Sequence, residues 1–277
     1  MMMTMITSTA RRIAALLAFL AFTLPASATS SGIDYTDQWW GGQAESGWGV
    51  NFIEQGTTIF ATLFVYDANQ NPTWYVATMN LAGGTTFSGS MYAVKGPYFG
   101  APVFDTNSVV ATSVGSMTVT FPNAYAGNLS YVVNGVTVTK SIVRQTFKAN
   151  NIAGDYLGGM TAIASSCQNS SNNGAALIWG TLVVTQTGQT LSMAVNFFNG
   201  NGTAGTCTYN GVLTPQGVLG QVANGTFSCT VGGQASNAGT FNVDSISMQQ
   251  TGFTGLFTGS DQFCSYNGYF GGVKDVL

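Results

Sequence analysis

Leu191, Met193, Val195 and Phe197 alternate with Ser192, Ala194 and Asn196, and the same period of two recurs from residue 29 almost to the C-terminus. A strand sends successive side chains to opposite faces, so a sustained period of two specifies extended chain with one dry and one wet face. No apolar period of 3.6 residues follows the first 28 positions, and turn dipeptides punctuate the chain throughout. The sequence therefore predicts an all-β protein.

In the first half, strands are expected near 35–40, 48–54, 57–66, 73–80, 85–94, 114–121, 128–133 and 136–147. Asn134-Gly135 between the last two accepts the positive φ of a type I′ hairpin. In the second half they are expected near 153–163, 177–187, 190–198, 206–213, 217–231, 239–248, 252–258 and 263–270. Eight short strands in succession suit an up-and-down antiparallel barrel or a sandwich. Nearly every connection is hairpin-length, which favours two consecutive up-and-down barrels, because a Greek key requires long returns. The polar stretch Lys148 to Gly154 separates the halves and sets a boundary near residues 149–152. The expected plan is a signal segment at 1–28, an aromatic-rich β-domain at 29–149 and a cysteine-containing β-domain at 150–277.

The first 28 residues carry Arg11-Arg12, an apolar run from Ile13 to Leu24 and then Pro25-Ala26-Ser27-Ala28. That is the layout of a secretory signal peptide cleaved after Ala28, too short to span a bilayer as a helix. A secreted or periplasmic address is expected. Without this segment the formal charge moves from −3 to 5 − 10 = −5, with Lys95, Lys140, Arg144, Lys148 and Lys274 the remaining cations. Such a chain has no basic stripe for nucleic acid or an anionic membrane surface. Only 6% of residues are charged, so solubility rests on Gly, Asn, Thr and Ser.

Cys167, Cys207, Cys229 and Cys264 all lie in the second half. An even count in a secreted chain reads as disulfides, and the spacing fits neither a zinc ribbon nor a redox motif. If the meander closes, its first and last strands are neighbours, which sets Cys167 beside Cys264. The hairpin centred near Gly217 sets Cys207 opposite Cys229. The predicted pairs are 167–264 and 207–229.

The chain has no histidine. This excludes Ser-His-Asp and Cys-His nucleophiles and His-ligated metals. Ser46 fails the G-x-S-x-G elbow at its first position, and no dinucleotide or phosphate loop is present, so no cofactor is expected. A two-carboxylate glycosidase using Glu45 is the surviving enzymatic alternative. Its obvious partner, Glu54, lies up to roughly 30 Å away along an extended strand at about 3.3 Å per residue, beyond the roughly 5–9.5 Å such enzymes need. A partner would have to come from elsewhere, such as Asp67 or Asp105. Asp67-Ala-Asn-Gln-Asn71 resembles the start of a calcium loop, but Pro72 replaces its glycine and Thr78 its glutamate, which leaves an Asx hairpin turn.

Gln38 to Phe52, QWWGGQAESGWGVNF, concentrates three tryptophans and Glu45 among small residues. Trp39 and Trp40 are adjacent, so only one shares the core; the other is a candidate stacking surface, joined by Trp74 or Tyr75. Trp48, with Val50 and Phe52, is expected to point inward. The long connection from Lys95 to about Thr112 carries Tyr98, Phe99 and Phe104, which either close the mouth of the first barrel or pack back onto it. Trp39, Trp40, Glu45, Trp48, Trp74, Tyr75, Tyr98 and Phe99 are thus the candidate ligand-binding residues.

Trp-Trp at 39–40, Glu-Ser-Gly-Trp-Gly at 45–49, Ile-Phe-Ala-Thr-Leu-Phe-Val-Tyr-Asp at 59–67, Pro-Thr-Trp-Tyr at 72–75 and Val-Asn-Gly-Val at 133–136, closing through Arg-Gln-Thr-Phe at 144–147, resemble a recurring module of secreted bacterial proteins. The second half resembles its cysteine-stapled partner, ending in Cys-Ser-Tyr-Asn-Gly-Tyr-Phe-Gly-Gly-Val at 264–273. The resemblance implies the address and the two-domain plan, and assigns neither an activity nor catalytic residues.

Together these features predict a secreted, non-enzymatic binding or surface-interaction protein with a polysaccharide or other cell-envelope ligand. The alternatives are a glycoside-hydrolase-like enzyme and an outer-membrane barrel. Against the latter, both faces of 59–66 are apolar and the chain ends in leucine, so stable membrane insertion is not expected.

Overall fold

The computed structural model describes residues 32–275; the expected signal segment lies outside them. The first barrel consists of β1 (Asp37–Trp40), β2 (Gly49–Gln55), β3 (Thr58–Tyr66), β4 (Pro72–Gly83), β5 (Thr86–Lys95), β6 (Val110–Thr120), β7 (Ala126–Val133) and β8 (Val136–Arg144). Each strand pairs antiparallel with the next, and β8 returns to β1 with Trp39 opposite Arg144. The second consists of β9 (Gly154–Ser165), β10 (Gly174–Thr187), β11 (Thr190–Phe198), β12 (Ala204–Gln216), β13 (Leu219–Val231), β14 (Gln234–Gln249), β15 (Gly252–Asp261) and β16 (Ser265–Lys274). It closes where β16 pairs with β9 from Ser265–Ser165 to Lys274–Tyr156. Closure corrects the sandwich alternative: both sheets lack open edges.

The period of two becomes inside and outside. Ile59, Ala61 and Leu63 are fully buried, while Phe60 and Phe64 on the opposite face meet solvent. The first core is aromatic, with Tyr35 stacked on Phe121 at 3.8 Å between ring centroids and Trp39 and Phe52 packed around them. The second core gathers Tyr209, Phe241, Phe257 and Phe270 at centroid separations of 4.9–6.2 Å. Each such ring contributes roughly 1.5–3 kcal/mol by leaving water.

Most expected boundaries move by a few residues, and two of the shifts bear on the site. The β6 strand begins at Val110, so the long connection spans 96–109. The β8 strand ends at Arg144 instead of residue 147, and Phe147 stands exposed. Arg144 takes the last inward position, where its guanidinium is spent on backbone carbonyls and a carboxylate: Nε donates to Ala124 O, Nη1 to Thr36 O and Asp37 Oδ2, and Nη2 to Asp34 O. Anchored there, the chain leaves the ladder.

Cys167 is bonded to Cys264 and Cys207 to Cys229. Cys207 and Cys229 are direct cross-strand partners on β12 and β13, and two disulfides fit an oxidising compartment. The ends of the barrels meet through the β12–β13 turn. Val218 N donates to Asp37 Oδ2 at 2.9 Å, Gly217 N to Thr146 Oγ1 at 2.8 Å, and Asn150 Nδ2 to Val218 O at 2.9 Å. On the neighbouring β14, Ser245 N donates to Tyr125 Oη at 2.6 Å. No helix among the described residues is long and apolar enough to cross a membrane.

Candidate functional site

After β1 the chain must reverse within eight residues to start β2. Gly42 and Gly47 adopt φ of 81° and 123°, which side chains rarely tolerate, and between them Gln43–Glu45 form a 3-10 turn. A Cβ on Gly41 would lie 2.6 Å from Glu45 Oε2 and 3.0 Å from the Trp48 ring. The small residues of this segment therefore let the turn fold back over the end of the barrel.

Three side chains are locked together there. Lys140 Nζ donates to Glu45 Oε1 at 2.9 Å, Trp48 Nε1 donates to Glu45 Oε2 at 3.1 Å, and the lysine lies 5.7 Å from the Trp48 ring centroid. Lys140 shares the inward parity of Ile142 and Arg144 on β8, and closure of the barrel brings it to Glu45 across 95 positions. The hydrogen bond from Lys140, and then that from Trp48, holds the Glu45 carboxyl below its ordinary value. Trp48 also packs against the core. The result is a shallow cleft of about 360 Å³ lined by Glu45, Ser46, Gly47, Trp48, Tyr66 and Lys140.

Tyr66 links the cleft to the outer wall. Along β3 the outward residues are Phe60, Thr62, Phe64 and Tyr66, and Phe64 lies directly opposite Trp74 on β4 and Gly49 on β2. Phe64 and Trp74 are 49% and 47% exposed, and Tyr66 is 58% exposed. Thr62 sits opposite Asn51 on one side and Val76 on the other. The wall is therefore a strip of ring faces set among hydroxyl and amide groups. Strands β2, β3 and β4 contain no Lys or Arg, and their one acid is Glu54.

Several expected site residues fall elsewhere. Trp39 is fully buried in the core, its Nε1 donating to Tyr35 O at 3.1 Å and its ring 4.8 Å from the Arg144 guanidinium. Trp40 takes the outward position and is half-buried. Tyr75 faces inward and packs on the core, so Trp74 is the exposed member of that pair. Tyr98 and Phe99 neither seal the barrel nor tuck back: Phe99 is 93% exposed, its ring 4.6 Å from that of Tyr98.

Glu54, Asp67 and Asp105 are each held by local hydrogen bonds. Glu54 accepts from Tyr35 N at 2.7 Å. Asp67 accepts from Asn69 N and Asn71 N inside the β3–β4 turn, and Asp105 from Asn107 N and the Ser108 hydroxyl. Glu45 is the one acid lining the cleft. Among the described residues no group of three or more Cys, Asp or Glu side chains is placed to hold a metal ion.

Phe64, Tyr66 and Lys140 lie outside the candidate residues expected from the sequence. Their signal was faint: Phe64 and Tyr66 read as one apolar face of a doubly apolar strand, and Lys140 reaches the site only through closure. The chain matches no protein-family model, no curated protein and no solved structure.

Proposed function

We propose that this is a secreted, non-enzymatic binding protein whose first barrel takes a neutral polysaccharide or cell-wall glycan on its β2–β4 wall. The observation that carries this reading is the exposed Phe64–Trp74 cross-strand pair, continued by Tyr66 into the Glu45–Trp48–Lys140 cleft. Ring faces are electron-rich, and the C–H face of a pyranose is apolar and weakly positive. The flanking Thr62 and Asn51 offer hydroxyl and amide partners to the sugar's equatorial hydroxyls. With no Lys or Arg on these strands, an acidic polymer gains nothing there.

The state of Glu45 supports binding over hydrolysis. A glycosidase acid needs a raised pKa and a second carboxylate within reach, whereas Glu45 is held ionised by Lys140 and stands alone in the cleft. Retention of residues 29–277 on insoluble glucans, chitin and peptidoglycan tests the proposal. Retention that falls about tenfold or more in Trp74→Ala and Phe64→Ala supports it; no retention on any of these polymers removes the ligand class. Hydrolysis of a retained polymer that disappears in Glu45→Gln would restore the enzyme.

A further inference from the structure

We infer that the disulfide-stapled end of the second barrel is a separate binding site for a compact, uncharged apolar molecule that carries a hydroxyl group. Inward positions in the middle of this barrel hold Phe241, Phe257 and Phe270, which fill it. Toward the end bearing the 166–173, 199–203 and 232–233 connections, the inward positions shrink to Ala176 on β10 and to Cys207 and Cys229 on β12 and β13. The core stops short and leaves a cavity of about 340 Å³, walled chiefly by Met160, Ile178, Phe197 and Phe227. That volume sits at the small end of the roughly 300–1,000 Å³ of ligand pockets, and the mouths of barrels are a recurrent place for them.

Polar groups enter the lining at one place. Tyr209, Tyr266, Asn237 and its neighbour Ser236 all reach the cavity, and Asp261 stands behind Tyr266 and Asn237. Asp261 Oδ2 accepts from Tyr266 Oη at 2.7 Å and from Asn237 Nδ2, while Oδ1 accepts from Phe263 N and Cys264 N. Burial alone would raise the Asp261 carboxyl, but the donors, led by Asn237 and Tyr266, hold it below its ordinary value. It is therefore an anion whose acceptor capacity is taken.

This arrangement selects among ligands. The Tyr266 proton is committed to Asp261, so its oxygen meets the cavity as an acceptor made more basic by the carboxylate. A ligand O–H donates to it. No Lys or Arg lines the cavity, so a carboxylate, sulfonate or phosphate would be desolvated without a counter-ion and repelled by Asp261. An ammonium fares little better, because four donors already occupy Asp261. An alcohol or phenol with an apolar body satisfies both the walls and the Tyr266 acceptor.

The test is displacement of the uncharged fluorophore phenylnaphthylamine from the disulfide-intact protein by decanol, decane and decanoate. Decanol is expected to displace it, with decanoate about tenfold weaker or worse at neutral pH. Tyr266→Phe keeps the ring and removes the acceptor, so it should bind the fluorophore normally and bring decanol down to parity with decane. Ala176→Phe, checked for folding by circular dichroism, should fill the cavity and lose the fluorophore. Trp74→Ala, which tests the first barrel, should leave all of this unchanged. Failure of the wild type to bind the fluorophore, equal competition by decanoate and decanol, or an undiminished decanol preference in Tyr266→Phe would each overturn the inference.

Discussion

The carboxylate of Asp37, on the first strand of one barrel, accepts the backbone N–H of Val218 in a turn of the other at 2.9 Å, across 181 positions. The same oxygen accepts from Arg144 Nη1 at 3.0 Å, and both charged side chains are almost wholly out of solvent. Breaking a buried pair from one side strands the other charge, at a cost of about 3–5 kcal/mol. Asp37→Ala is therefore expected to destabilise the first barrel by that amount and to free the Val218 turn, read as a lower denaturation midpoint together with faster amide exchange at 216–219. Unchanged exchange in that turn would mean that the contact does not join the barrels.

Gly217 tests the same contact from the other side. Its φ is +63°, and a Cβ there would fall 2.1 Å from Asp37 Oδ2 and 2.8 Å from Arg144 Cβ. Gly217→Ala should separate the turn from the ion pair while leaving each barrel's strands intact. Small-angle scattering of the variant should show a wider distribution of interdomain distances, with an unaltered far-ultraviolet spectrum.

Tyr35 presents the opposite situation. Its ring stacks on Phe121 in the dry core, yet its hydroxyl is buried without a hydrogen-bond partner. An unpaired buried hydroxyl costs about 1–3 kcal/mol, so Tyr35→Phe should leave stability unchanged or raise it. Tyr35→Ala, which also removes the ring, should cost about 3–5 kcal/mol. A loss in Tyr35→Phe above about 1 kcal/mol in urea unfolding would show that the hydroxyl has a partner.

How far the sequence reaches is visible in these residues. The alternation of Leu191 to Phe197 and the turn at Asn134-Gly135 name strands and hairpins because both are local. The Cys207–Cys229 bond follows from a hairpin and the Cys167–Cys264 bond from closure, since neighbours in a meander are neighbours in sequence except at the seam. The side-chain partners were hidden for the same reason. Asp37 with Arg144, and Glu45 with Lys140, face each other only across the β8–β1 seam, where separation along the chain carries no information about spacing. Trp39 and Trp40 show the remaining limit: adjacency says that they face opposite ways but not which is inside, and only the packed core around Phe121 decides it.

Glu45 is expected to make the turn between β1 and β2 sensitive to acid. Its folded-state pKa lies below the ordinary value, chiefly through Lys140, so the tether is complete above the usual glutamate value of about 4.3 and is lost as the pH falls through the depressed one. Tryptophan emission should shift on acidification below about pH 4 as Trp48 loses its acceptor. Glu45→Gln, which cannot ionise, should lack that acid step; an identical step in the variant would assign it to another group.

Alkali acts on the second barrel in the opposite sense. Burial, then the hydrogen bond to Asp261 and its charge, push Tyr266 up to about 12, and burial raises Tyr209 as well. A phenol whose folded value is raised favours the folded state fully below its unfolded value of about 10, and that contribution is lost as the pH climbs through the folded value. In a spectrophotometric titration these two phenols should ionise after the exposed tyrosines, with stability falling from about pH 10 upward. Asp261→Asn removes the negative charge and should move the late Tyr266 step to lower pH. A late step unmoved by that change would place its origin in burial alone.

The disulfides are expected to act chiefly on the barrel that holds them. Cys207 and Cys229 are 22 positions apart and Cys167 and Cys264 are 97 apart, so constraint of the unfolded chain supplies about 3 kcal/mol from the first and about 5 kcal/mol from the second. The larger share belongs to the bond that crosses the β16–β9 seam, where no hairpin otherwise keeps the ends together. Replacing Cys167 and Cys264 by serine should therefore destabilise residues 154–274 more than replacing Cys207 and Cys229 by alanine, provided the cavity beside the inner pair tolerates the smaller side chains. Segment-resolved hydrogen exchange checks this directly. Protection should fall across β9 and β16 in the first variant and remain high in β1 to β8 in both, and a matching loss in the first barrel would mean that the two unfold as one cooperative unit.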